Sequence, residues 1–117
     1  MCSVRIMSGF VDVVDILNGR YDGKIVSLRG WLYNKRSSGG IQFLEVRDGS
    51  GVIQCTLQKG SVNDNMYNNV EALPLESTFV LEGVVNMDER APNGREVSVN
   101  SISDISVAQH DYPITKK

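Results

Sequence analysis

The sequence predicts an all-β fold: a five-stranded Greek-key barrel with a helix between the third and fourth strands and a short helix ahead of the first. Three observations carry this reading. Five segments alternate apolar and polar residues with the period of two that a half-buried strand requires. Most are separated by short clusters of glycine, serine, asparagine or proline, which make turns rather than crossovers. The one long separation, after the third strand, carries Val62, Met66, Val70 and Leu73 on a single helical face.

The elements follow in order. Phe10, Val13, Val14 and Leu17 stand at i, i+3, i+4 and i+7, predicting a short helix over about 9–18, with Ser8 as cap and Asn18-Gly19 as stop. Asp22-Gly23 turns the chain into a strand from Lys24 to about Lys35, with Val26 and Leu28 inward. Gly30 in its middle marks a bend or bulge, so parity does not fix how Trp31 and Tyr33 face; Trp31 is read as packing, against the N-terminal helix. Ser37-Ser38-Gly39-Gly40 is a flexible loop, and Ile41 to Asp48 is the second strand. Gly49-Ser50-Gly51 turns it back into a third strand, Val52 to Leu57, with Ile53, Cys55 and Leu57 inward. The following helix starts at a capping box of Ser61 and Asp64 and stops before Pro74. Thr78 to Met87 is the fourth strand, with Phe79, Leu81, Gly83 and Val85 on one face. Pro92-Asn93-Gly94 is a loop, and Glu96 to Ile105 is the fifth strand, with Val97 and Val99 inward. Residues 1–109 form the domain, and 110–117 read as a linker.

Composition limits the function. With 117 residues, 41% of them hydrophobic, the chain makes one domain with a real core. A net charge of −2 argues against a nonspecific polyanion binder. The charge is uneven, however. Lys24, Arg29, Lys35, Arg36 and Arg47 face only Glu45 in their part of the chain, whereas every charged residue from Ser61 to Glu89 is acidic. One side of the fold is therefore expected to be positive. Cys2 lies in an end expected to fray, and Cys55 reads as a small buried hydrophobe, so neither a disulfide framework nor a zinc spacing is present. A reducing cytoplasm fits this usage. No apolar run reaches membrane-spanning length.

The second strand carries the functional signal. Leu44 and Val46 share the inward parity, which sends Phe43 outward beside Glu45 and Arg47. An aromatic on a polar strand face can pack under a loop, or it can stack a nucleic-acid base. Three strands, a helix and two strands is the order of an OB-fold barrel, which binds oligonucleotides on its strand two–three face and through the loops joining strands one–two and four–five. Outward Gln54, the basic loop at Arg36 and the start of strand five at Glu96 fall in those regions. Taken singly, each of these three is an ordinary solvated residue. Glu45 and Arg47 read as a surface ion pair, Asp48-Gly49 as turn chemistry, and His110 has no metal partner in its vicinity.

The stretch from Gly30-Trp31-Leu32-Tyr33-Asn34-Lys35-Arg36-Ser37-Ser38-Gly39-Gly40 through Phe43-Leu44-Glu45-Val46-Arg47-Asp48-Gly49-Ser50-Gly51 to Ile53-Gln54 resembles the N-terminal anticodon-binding domain of asparaginyl-tRNA synthetase. That family belongs to the class II subgroup shared with the aspartyl and lysyl enzymes. The resemblance covers about residues 20–117. It implies that the aromatic at Phe43 stacks on the middle anticodon base, a uridine, that Arg36 and Gln54 contact the same nucleotide, and that Glu96 accepts from the first-base guanine. The loop Asn93-Gly94-Arg95 departs from the family's usual pair of glycines, so Arg95 is a rival that either holds Glu96 or takes a phosphate. The third-base reader is expected within residues 86–92. The resemblance implies tRNA as partner and a full-length parent that is an ATP- and magnesium-dependent ligase and a cytoplasmic homodimer. The family's arginine-bearing ATP motif and its glycine-rich motif ending in arginine do not occur in these residues, so this chain by itself is expected to bind as a monomer, without a cofactor and without catalysis. Two other readings use the same fold: a free-standing OB module for single-stranded RNA or DNA, and an OB protein-interaction scaffold.

Overall fold

The computed structural model describes residues 10–107. The expectations for Cys2, Ser8, His110 and the 110–117 linker lie outside that range. Five strands close into a barrel in the order β1-β2-β3-β5-β4, with β1 at Ile25–Ser38, β2 at Ile41–Asp48, β3 at Gly51–Gln58, β4 at Thr78–Met87 and β5 at Arg95–Ser106. A short helix α1, Val13–Leu17, precedes the barrel, and α2, Asp64–Glu71, lies between β3 and β4. All neighbours are antiparallel except β3 and β5, which run parallel. Their register aligns Gln54 with Glu96, and that parallel contact closes the face on which the site lies.

The predicted inward parities hold. Leu28, Leu44, Val46, Cys55, Leu57, Leu81, Val85 and Val97 are wholly buried. Burial pushes the Cys55 thiol well above its usual range, so the residue serves as packing rather than as a nucleophile. Inward parity runs unbroken through Gly30 to Leu32, and the register slips only at Tyr33. Gly30 is needed for a different reason. A Cβ there would lie 2.5 Å from the Arg47 backbone oxygen, because at this point β1 leaves its pairing with β4 and takes up β2. The expected loop at residues 37–40 is shorter than read. Ser37 and Ser38 stay in β1, and Gly39 and Gly40, with φ of 59° and 83°, form a two-residue hairpin turn.

Both helices correct the sequence reading in detail. In α1 the buried residues are Val13 and Ile16, while Phe10 lies outside the helix and bridges to Ser27, and Val14 is exposed. Asp12 occupies the N-cap position without a side-chain cap bond. The β2–β3 turn supplies the cap instead: the Val13 N–H donates to Asp48 Oδ2 at 2.9 Å, and the Val14 N–H donates to Ser50 Oγ at 3.0 Å. In α2 the capping residue is Asn63, not Ser61; its Oδ1 accepts from the Met66 N–H at 2.8 Å. Tyr67 joins Val70 and Leu73 in the core, and Val62 and Met66 pack at its margin. The other end of α2 is held by Lys35, whose ammonium donates to the carbonyls of Val70, Glu71 and Leu73. Partial burial there lowers the Lys35 pKa, against the opposing pull of Glu71. A lysine expected to add to a positive face is thus used as a helix C-cap.

Asp48 also accepts from the Ser50 N–H, the Ser50 hydroxyl and the Gly51 N–H. Burial raises its carboxyl pKa, but the bonds from Val13, Ser50 and Gly51 outweigh that and hold it below the usual range. A carboxylate depressed in the folded state contributes stability that is present above its unfolded pKa of about 3.9 and is lost as pH falls through the folded value. Asp48→Asn is therefore expected to cost about 1–2 kcal/mol at pH 6, the scale of a lost helix cap. The gap from wild type should narrow below about pH 4. Urea unfolding of both proteins at pH 6 and pH 3 measures it; a gap that does not change with pH would mean that the carboxylate's charge contributes nothing.

Candidate nucleic-acid interface

Four residues singled out in the sequence meet in one groove. Arg36, Phe43, Gln54 and Glu96 all line a cavity of about 440 Å³ on the outer face of β1, β2, β3 and β5. The register explains the convergence. Arg36 lies directly across from Phe43 in the β1–β2 hairpin, and Gln54 is cross-strand from Glu45 on one side and Glu96 on the other. Phe43 is half-buried, with its strand neighbours Gln42 and Leu44 fully inside. It therefore stands on the groove floor and not in the core.

The Arg36 guanidinium lies over the Phe43 ring, 4.1 Å from its centroid. Gln54 Nε2 donates to Glu96 Oε1 at 3.2 Å. The groove thus presents a flat apolar ring, a cation above it, and an amide tied to a carboxylate. Together these can stack a base, meet a base edge and accept from an N–H donor.

Sequence reasoning missed part of the wall. Thr56 and Ser98 share the outward parity of Gln54 and Glu96 and line the groove as well, a signal that the alternation already contained. Asp88 and Arg90 enter from the β4–β5 connection, where there is no period to read. They are bound to each other, Arg90 Nε to Asp88 Oδ1 at 3.2 Å, and the Asp88 carboxyl is held below its usual range, first by that side-chain bond. Both fall in the 86–92 stretch.

Three other expectations are corrected. Arg95 neither holds Glu96 nor stands free for a phosphate. Its guanidinium forks onto Asp22, Nε to Oδ1 at 2.9 Å and Nη2 to Oδ2 at 2.8 Å, which lowers the Asp22 pKa. This bidentate pair ties the start of β5 to the turn before β1. Glu45 and Arg47 form no ion pair among the described residues; Arg47 instead lies over Tyr33, at 5.3 Å, and Trp31, at 6.0 Å. Trp31 is half-buried and lines a separate cavity with Arg29 and Thr78, while α1 packs chiefly on β3. The expected positive side is thus divided: Arg36 at the groove, Arg29 over Phe10, Arg47 over Tyr33, and Lys35 under α2.

A closed five-stranded barrel with a stacking ring and convergent polar groups on its β2–β3 face is an oligonucleotide-binding barrel. The chain belongs to the family of OB-fold nucleic acid binding domains of the tRNA anticodon type, which matches residues 26–105. It is 38% identical over 106 residues to the asparagine–tRNA ligase of Thermoplasma acidophilum, covering 91% of this chain and 24% of that one. It is 44% identical over 95 residues to that of Deinococcus deserti, covering 81% and 21%. Among solved structures it superposes on asparaginyl-tRNA synthetase from Pyrococcus horikoshii in complex with asparaginyl-adenylate, with a TM-score of 0.81 and 34% identity over 92% of this chain and 24% of that one. The resemblance read from residues 30–54 therefore extends over most of the sequence, and the chain spans about a quarter of the length of these relatives. Among the described residues no helix is long and apolar enough to cross a membrane.

Proposed function

We propose that this domain binds the anticodon loop of asparagine tRNA on behalf of an asparaginyl-tRNA synthetase. The observation that carries the reading is the convergence of Arg36, Phe43, Gln54 and Glu96 on one groove. Phe43 stacks the middle uracil, and Arg36 contacts its carbonyl oxygens or phosphate. Gln54 meets its edge, and the Glu96 carboxylate accepts from the N1–H and N2–H₂ of the first-base guanine. The domain supplies recognition only. Amino-acid activation, with ATP and magnesium, would belong to the rest of a cytoplasmic, homodimeric ligase, while the isolated domain binds as a monomer.

The test is a titration of the chain with stem-loops differing only in the anticodon. A GUU loop should bind more tightly than GCU by about 1 kcal/mol, the net worth of a hydrogen bond matched rather than opposed, or roughly fivefold in affinity. Equal binding of the two would instead support a sequence-blind OB module, and binding of neither would support a protein-interaction scaffold.

A further inference from the structure

We propose that Glu96 is a positioning residue for the middle base: by fixing which way the Gln54 amide points, it makes the groove prefer uracil to cytosine. The inference rests on the anticodon reading above. It adds a coupling between two residues that the reading treats as independent.

A glutamine amide is ambivalent. It has a carbonyl that accepts and an NH₂ that donates, and rotation by a half-turn exchanges them. An unrestrained glutamine therefore suits either pyrimidine. Uracil presents an N3–H donor between two carbonyl acceptors. Cytosine presents a bare N3 acceptor beside an amino donor. An amide showing its oxygen to the middle of that edge matches uracil and opposes cytosine, and an amide showing its nitrogen does the reverse.

The neighbour of Gln54 removes the ambivalence. Glu96 lies beside Gln54 in the parallel β3–β5 register, with Oε1 3.2 Å from Gln54 Nε2. An ionised carboxylate can only accept. The atom of Gln54 that faces it must be the nitrogen, because an oxygen there would set two acceptors against each other. With one N–H committed to Glu96, Gln54 has its carbonyl oxygen and one N–H left for the groove; on a base stacked on Phe43 with the middle of its edge at that oxygen, the pair answers the N3–H and a carbonyl of uracil and sets the oxygen against the bare N3 of cytosine. The backbone maintains the arrangement: Cys55 and Val97, the next residues in each strand, are fully buried partners in the same register, so neither strand can slide to relax the contact.

The consequence is read from a ratio. In Glu96→Gln the side chain at 96 both donates and accepts, so either orientation of Gln54 is satisfied. The preference for a uracil over a cytosine middle base should fall from roughly fivefold towards none. The first-base guanine contact also changes in this variant, so the ratio is measured in two series, GUU against GCU and AUU against ACU. The loss of preference should appear in both. In a Gln54→Ala background, Glu96→Gln should leave the ratio unchanged. A merely structural role for Glu96 would lower affinity for all loops alike and keep the ratio, and that outcome overturns the proposal. In the free wild-type domain, the Gln54 side-chain nitrogen should be as rigid on the ps–ns timescale as the backbone around it, and one of its two protons should exchange slowly with solvent; a mobile side-chain nitrogen with both protons in fast exchange overturns the proposal without recourse to any variant. The wild-type arm tests the underlying reading separately. GUU binding that depends on Phe43, with no choice between uracil and cytosine, would overturn the coupling and leave RNA recognition standing; absence of RNA binding would overturn the reading itself.

Discussion

Leu44→Ala is expected to destabilise the domain by about 2–5 kcal/mol, the range for truncating a buried leucine. Leu44 has no exposed surface. It sits in the middle of β2, paired with Lys35 of β1 on one side and Cys55 of β3 on the other. β2 is paired along its length with both flanking strands, so the sheet cannot close over the missing methyl groups as a helix end or loop would. The lost transfer energy and the retained cavity therefore add. Urea unfolding should show a lower midpoint with an unchanged slope, and Tm should fall by roughly 10 °C or more for a domain of this size. Glu45→Ala, one residue along on the groove face, should stay within about 0.5 kcal/mol of wild type. The reverse order, with Glu45→Ala costly and Leu44→Ala nearly neutral, would mean that the inward and outward faces of β2 are exchanged, and Phe43 would then have no place on the groove.

The fold was legible wherever one physical signal acted alone. The limits of β2 and β4 follow from alternation bounded by turns, and both strands lie where the sequence puts them, at 41–48 and 78–87. The readings fail where a distant part of the chain decides. The five-residue helix α1 is too short for its period to choose a face; its position depends on Asp48 and Ser50, 35 and 36 residues away from the amides they cap. The loop at 37–40 looked long because serine and glycine both suggest turns, yet two glycines at positive φ suffice for the reversal, and the serines remain in the strand. The site divides the same way. Phe43 and Gln54 are given by strand parity, and the resemblance to a known family added Arg36 and Glu96. Asp88 and Arg90 come from a connection without periodicity. The Arg95–Asp22 pair spans 73 residues, and nothing local marks either residue as the other's partner.

Phe43→Ala is expected to weaken binding of a GUU stem-loop by about 1–3 kcal/mol, the worth of one base stacked on an aromatic ring, while leaving the fold intact. The free domain modifies this expectation in a specific way. Arg36 already covers the Phe43 ring at 4.1 Å, so a base that stacks on the same face must displace it. That displacement gives up a contact worth about 0.5–1 kcal/mol at an exposed site and releases the guanidinium to meet the base edge or a phosphate. The two residues should therefore be coupled. Arg36→Ala alone removes a competitor along with a ligand and should cost less than Phe43→Ala; in the double variant the two losses should not add. Phe43→Tyr keeps a flat ring and should retain most of the affinity, whereas Phe43→Leu, of similar apolarity without a face, should not. Titration of wild type and the five variants with one GUU loop, beside thermal unfolding of each, measures these effects. Phe43→Leu binding as well as wild type would show that the position needs bulk and not a ring, and a large fall in Tm for Phe43→Ala with unchanged binding would return Phe43 to the core.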